Sequence, residues 1–152
     1  MQPTKIFFMA KMNPYLNFDG KTEEAFNFYK SVFGGDFMGP VHKMGDAPGT
    51  ENLPANEKNR VMHVSLPIGN KGDMLMGSDT IPSAGHVLNE GNNVQISLHP
   101  DSREEADRLF KGLSAGGKVE MEMQDTFWGA YFGAFKDKYG IGWMINHQHT
   151  EQ

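Results

Sequence analysis

One amphipathic helix is written twice in this 152-residue sequence, and a chain that repeats a helix is constrained to fold as two related halves. Glu23-Glu24-Ala25, Phe28-Tyr29-Lys30, Val32 and Gly34-Gly35 return 81 positions later as Glu104-Glu105-Ala106, Leu109-Phe110-Lys111 and Leu113, with Gly116-Gly117 displaced by one residue more. In both copies the apolar positions fall at i, i+3, i+4 and i+7, one stripe of a helix. The paired glycines stand where a left-handed C-cap is favoured.

The sequence around each helix supplies strands in one order. Residues 6–18 read as extended, with Pro14 marking an edge or a bend and Asp19-Gly20 closing the stretch. Residues 37–44 read as a strand, and residues 45–59, rich in Gly, Pro, Asn and Glu without an apolar period, as the longest loop. In residues 60–67, Met62, Val64 and Leu66 alternate with Val61, His63 and Ser65; after the turn Gly69-Asn70-Lys71-Gly72, residues 73–78 form the partner strand. Residues 79–92 read as a linker. Beyond it, Val94, Ile96 and Leu98 alternate with Gln95, Ser97 and His99, and Ser102 and Glu105 are spaced as a capping box for the second helix. Residues 118–123, 132–135 and 142–146 are three further strands.

Strand, helix, three strands, twice over, predicts an α+β fold of two βαβββ modules, about 5–80 and 92–147, within one domain spanning 1–152. Each helix covers one face of a curved, mostly antiparallel sheet of eight strands, and the other face is left to line a cavity.

Composition removes several functional classes. A formal charge of -5, a pI near 5.6 and the absence of any Lys or Arg run argue against nucleic acid or an anionic membrane as partner. Cysteine is absent, so disulfides, thiol nucleophiles and cysteine-ligated zinc are excluded together. The apolar stretch near the N-terminus is too short for a signal peptide and no segment is long enough to cross a bilayer, so the expected location is the cytoplasm.

Four segments then carry a resemblance: Pro14-Tyr15-Leu16-Asn17-Phe18, the helix ending Phe28-Tyr29-Lys30-Ser31-Val32-Phe33-Gly34-Gly35, Gln124-Asp125-Thr126-Phe127-Trp128, and residues 137–146 from Asp137-Lys138-Tyr139-Gly140 to Trp143-Met144-Ile145-Asn146. With the duplicated module, they resemble the vicinal oxygen chelate superfamily of glyoxalases, extradiol dioxygenases and bleomycin-resistance-type proteins, and within it the PhnB-like branch. Proteins of that branch often carry the name of a demethylubiquinone methyltransferase, yet this chain has no glycine-rich strand-to-helix turn of the nucleotide-binding type.

The resemblance implies one divalent ion on the open face of the sheet, held by His, Glu or Gln from the first and last strands of each half. Counted back from the helices, the first-strand positions fall at Pro14 and Gln95, and the last strands place theirs near Met76 and at Asn146. Proline offers no side-chain donor, Met a soft thioether, and Gln and Asn weak neutral oxygens, a set unsuited to Mg, Mn or Ni. No metal and no other cofactor is therefore expected.

The cavity face is expected to carry His63, Ser65, Met74, Met76, Gln95, Ser97, Met144 and Asn146, with Phe127 and Trp128 closing its mouth. Thioethers with a few directed polar groups suit a small-molecule pocket, although Met also serves as core filler. His63 is the candidate acid-base group, since an imidazole titrates at about 6.5; a structural role is the alternative. His42, His86 and His99 read as surface or turn residues, His147 and His149 as terminal ones, and Glu120 and Glu122 as a solvated strand face. No serine shows a His-Asp pattern or a nucleophile elbow.

The function expected is binding of a small molecule in the sheet cavity without the inherited metal. The alternative is a metal-dependent or His-assisted lyase, isomerase or dioxygenase-type enzyme of the same superfamily. By the same resemblance the assembly is a homodimer, with the edge near Pro14 and the loop 45–59 as its surfaces.

Overall fold

The computed structural model describes residue 4 and residues 10–149. Strand β1 (Tyr15–Phe18) leads into helix α1 (Thr22–Phe33), then β2 (His42–Lys43), the short helix α2 (Ala55–Lys58), β3 (Val61–Ile68) and β4 (Asp73–Asp79). The second half repeats the order with β5 (Ile96–Leu98), α3 (Arg103–Ser114), β6 (Lys118–Asp125), β7 (Ala130–Lys136) and β8 (Gly142–Gln148). The first expected extended stretch is described only from residue 10 onward, so its portion at 6–9 lies outside the described residues.

The eight strands lie in two four-stranded sheets, ordered β1-β4-β3-β2 and β5-β8-β7-β6. This replaces the single eight-stranded run with two sheets of identical topology. In each, the first strand pairs parallel to the last, and the remaining pairs are antiparallel. A parallel pair needs a crossover, and the helix of each half is part of it.

The two helices are alike in stripe but begin by different chemistry. In α1 the buried residues are Thr22, Ala25, Phe26, Tyr29 and Val32; in α3 they are Ala106, Leu109, Phe110 and Leu113. Helix α3 starts on Ser102, whose Oγ accepts from the Glu105 amide at 3.1 Å. Only that half of the expected capping box forms, because the Glu105 carboxylate is taken by Arg108 at 2.6 and 2.9 Å. Helix α1 has no side-chain cap at Lys21. Its free N-terminal donors are met instead by Asp79 from β4, which accepts from the Gly20 and Thr22 amides at 2.9 and 3.1 Å and from the Thr22 hydroxyl at 2.7 Å. A carboxylate there also opposes the positive end of the helix.

Both helices share one core. Arg108 donates to the Val32 carbonyl at 2.6 Å, and Gly112 lies where a Cβ would meet Val32 at 3.1 Å, so α1 and α3 run side by side. Across the same seam the Tyr29 hydroxyl donates to Asp137 at 2.6 Å; Trp143 Nε1 and the Tyr139 and Ile141 amides donate to the same carboxylate at 2.8, 2.8 and 3.0 Å. Tyr29, Phe26, Phe135, Trp143, Leu66 and Leu113 are the largest fully buried side chains, each stabilising the fold by about 1.5–3 kcal/mol through burial.

Three other local readings change. Residues 37–44 keep only His42–Lys43 as strand, since the pairing with β3 shifts register between those two residues. That same irregularity reverses the start of β3: Val61 is buried in the core and Met62 is exposed, while Val64 and Leu66 point inward as expected. The stretch 45–59 contains a 3-10 turn at Met44–Asp46 and α2, and it buries Glu57, whose carboxylate accepts from the Ser83 amide at 2.8 Å and the Ser83 hydroxyl at 2.5 Å.

Candidate functional site

The open face of the first sheet follows from its register. Met76 sits opposite Tyr15 on β1 and Ser65 on β3, so Tyr15, Met76 and Ser65 form one row across three strands. Gly77 fixes which way the row points: a Cβ there would come within 2.6 Å of Phe26 Cε2, so Gly77 faces α1, and Met76 and Ser78 on either side face away. Met74 lies on that outer face one pair further along, opposite Pro67.

The second sheet repeats the arrangement with different residues. Met144 sits opposite Ser97 on β5 and Ala134 on β7, and Ala134 sits opposite Met121 on β6. Asn146 sits opposite Phe132, which faces Gln124. The counterpart of Met76 is therefore Met144, and the counterpart of Tyr15 is Ser97. Asn146, expected on the last strand as the equivalent of Met76, matches Ser78 instead, one same-face position further along. Gln95 lies before β5, exposed in the chain leading to it, with its Cγ against Gly142. Val94 is likewise outside the strand and 77% exposed, a correction to the alternation read from 94 onward.

His63 stands on the outer face of β3, half-buried, with both ring nitrogens engaged. The Tyr15 hydroxyl is 3.2 Å from Nδ1 and the Ser65 hydroxyl 2.8 Å from Nε2. A neutral imidazole donates at one nitrogen and accepts at the other, and a hydroxyl does either, so each tautomer satisfies both contacts. The Tyr15 ring also stacks on the imidazole, with centroids 5.7 Å apart. Tyr15 was missed as a site residue; its place three residues before the buried Phe18, on the face opposite to Leu16 and Phe18, is the period-2 signal that identifies it. A second serine-histidine pair lies on the other sheet, with Ser97 Oγ 3.1 Å from His99 Nε2. Neither pair was visible as a His-Asp pattern, because both are strand neighbours at i and i+2.

The nine residues assigned to one cavity divide into groups. His63, Ser65 and Met76 share the first open face. Met74 and Ser97 line a pocket of about 340 Å³ at the seam between the halves, walled by Pro14, Ile68, Leu98 and Trp143. Met144 and Asn146 lie on the second open face. Trp128 is at the tip of the β6–β7 hairpin, where it packs edge-on against Phe132 at 6.1 Å and against Phe127 at 5.1 Å. It does not reach His63. Phe127 is 98% exposed, and the tip is held by Thr126, whose hydroxyl donates to the Ala130 carbonyl at 2.8 Å and accepts from the Ala130 amide at 3.2 Å.

At the positions that the resemblance implies for a metal, the donors do not suit one. The Pro14 carbonyl is occupied by the Met76 amide at 3.1 Å, and Met76, Gln95 and Asn146, or Met144 in its place, bring thioether and carboxamide groups without a carboxylate or an imidazole. Among the described residues no three His, Asp or Glu side chains gather as ligands.

Two βαβββ modules with an open face each define a class of protein. Residues 11–145 match the model of the Glyoxalase/Bleomycin resistance protein/Dioxygenase superfamily, and the chain belongs to that family. It is 33% identical to Protein YjdN of Escherichia coli (strain K12) over 143 residues, covering 89% of this chain and 93% of that one. Among solved structures it is similar to protein PA1353 of Pseudomonas aeruginosa, at TM-score 0.79 and 38% identity over 92% of this chain and 98% of that one. It also shares the fold of the Bacillus cereus PhnB protein, described as a 3-demethylubiquinone-9 3-methyltransferase, at TM-score 0.71 and 24% identity over 91% of this chain and 99% of the other. No helix among the described residues is long and apolar enough to cross a membrane.

Proposed function

We propose that this chain, acting as one domain in the cytoplasm, binds a small organic molecule on the open sheet faces without a divalent metal. The observation that carries this is the Tyr15-His63-Ser65 chain, three directed polar groups on the same half-exposed outer sheet face as the thioethers of Met74 and Met76. Each hydroxyl retains hydrogen-bonding capacity toward a ligand, and the flexible thioethers adapt to its apolar part.

A homodimer is part of the same reading. The side-by-side helices leave both open faces bare, and the exposed large apolar residues include Tyr15 on one face and Met121, Phe127 and Trp128 on or beside the other. An isologous pair matches each face with the other's hairpin, so that Phe127 and Trp128 of one copy cover the His63 face of its partner. Light scattering at micromolar concentration should return twice the 17.0 kDa chain mass; a value of 17.0 kDa refutes the dimer.

One observation favours a second reading, a His-assisted enzyme. An imidazole bridging two hydroxyls can take a proton at one nitrogen as it releases one at the other, which is the requirement for acid-base catalysis. His63→Ala tests both. Its partners are partly exposed, so water replaces the lost bonds and melting should shift by no more than a few degrees. Amide-shift mapping of a small-molecule fragment set should then lose the contacts that wild type shows along β1, β3 and β4. A large destabilisation, costing about 1–3 kcal/mol for each stranded partner, would mark His63 as structural and remove it from the site.

A further inference from the structure

A cleft of about 1030 Å³ is separate from the open faces; it lies where the linker passes the ends of β6 and β7, and it includes none of the residues discussed above as a binding site. Its acidic lining is mostly committed. Asp19 pairs with Arg60 at 2.7 Å, Glu24 lies 3.9 Å from Lys21, and Asp137 is consumed by the seam, which leaves Glu90 against Gly140. Two of its four lysines are not. Lys118 and Lys136 are direct cross-strand partners, and among the described residues neither pairs with a carboxylate.

Like charges set directly opposite each other destabilise an antiparallel pair, and among the described residues no ion pair offsets this one. An anion between the two ammonium groups would. Gly117 adds to the same wall, since its Cα packs so closely on the Lys136 carbonyl that no side chain fits there. Val87, Leu88 and Tyr139 line the same cleft and give it an apolar part. A cleft at the upper end of ligand-pocket size, lined both by two lysines without an ion-pair partner among the described residues and by apolar side chains, fits an amphiphilic acid.

We propose that this cleft binds a small organic acid, its carboxylate between Lys118 and Lys136 and its apolar body along Val87, Leu88 and Tyr139. The proposal is independent of the open-face reading, and its readout falls on different residues. The test titrates benzoate, acetate and inorganic phosphate into the protein in low-salt Hepes, against sodium chloride at matched ionic strength, and follows the amides of Gly117, Lys118, Lys136 and Tyr139. Benzoate should give saturable shifts at these amides and bind more tightly than acetate. Lys118→Gln and Lys136→Gln should each weaken it about tenfold, as loss of a charged contact does, and should melt no lower than wild type in the absence of anions because the repulsion is relieved. Shifts that follow chloride equally, benzoate binding unchanged in both variants, or saturation by phosphate without benzoate would each overturn the proposal.

Discussion

Replacing Tyr29 by Phe isolates a buried side-chain hydrogen bond that fastens the first helix to the second half. The phenol is fully buried and Asp137 is 3% exposed, so the 2.6 Å bond has no water to replace it. A hydrogen bond to a charged acceptor is worth about 1.5–3 kcal/mol, and Asp137 keeps three other donors, so the carboxylate is not stranded and the loss should stay within that range. For a chain of this length each kcal/mol moves the melting temperature by about 2–4 °C, so Tyr29→Phe should melt about 3–12 °C lower.

The pH dependence has a definite sign. Burial first, and then the charge of Asp137, raise the Tyr29 phenol far above its ordinary value, so it stays protonated in the native state. Above about pH 10 the unfolded chain loses that proton and the native state does not, so stability falls as pH rises. Tyr139, raised to about 12 by burial and then by Glu24, adds to the same fall and keeps its share in the variant. Tyr29→Phe should therefore lose stability less steeply than wild type between pH 10 and 12. Urea unfolding across pH measures both effects. A loss below about 0.5 kcal/mol at pH 7, or an unchanged alkaline slope, would show that the seam does not depend on this bond.

Gly77→Ala should cost about 1–3 kcal/mol by overpacking, because its Cβ would lie 2.6 Å from Phe26 Cε2 and 2.9 Å from the Leu16 carbonyl; adding Phe26→Leu should recover part of the loss in thermal melting. Treatment with a chelator should leave the melting temperature unchanged and metal analysis should find no stoichiometric Ni, Zn, Mn or Mg, since the thioether and carboxamide groups at the inherited positions couple no metal free energy to folding. A tightly held ion would refute the metal-free reading.

The repeated helix was legible because its stripe repeats within twelve residues of local sequence, and the strands at 118–125 and 142–148 were legible because turn residues bracket them. What the sequence hid was register. The inversion of Val61 and Met62 comes from an irregularity in β2 pairing that leaves no mark in the order of residues. Counting back from the second helix gave Gln95, which strand pairing leaves ahead of β5, and the last strand gave Asn146, which lies one same-face position beyond Met144. Tyr15 escaped notice for the same reason: its contact with His63 crosses β4, and 48 residues separate them. The Phe127-Trp128 pair was recognisable as unusual, but the side of the molecule it serves depends on where a hairpin at the far edge of a sheet points.

The seam also sets an order of events for a chain made from one end to the other. Within the first half, β1 finds β4 some 61 residues later, and its helix can dock on that sheet as soon as β4 is complete. Tyr29 must wait for Asp137, 108 residues downstream. During synthesis the first half therefore emerges with its parallel pair formed and one flank of α1 uncovered, and domains that fold in this vectorial way are exposed to wrong partners until the last segment arrives. A buried carboxylate that accepts from Tyr29, Trp143 and two amides at once makes that arrival cooperative, so the second half closes the first in a single step rather than by gradual accretion.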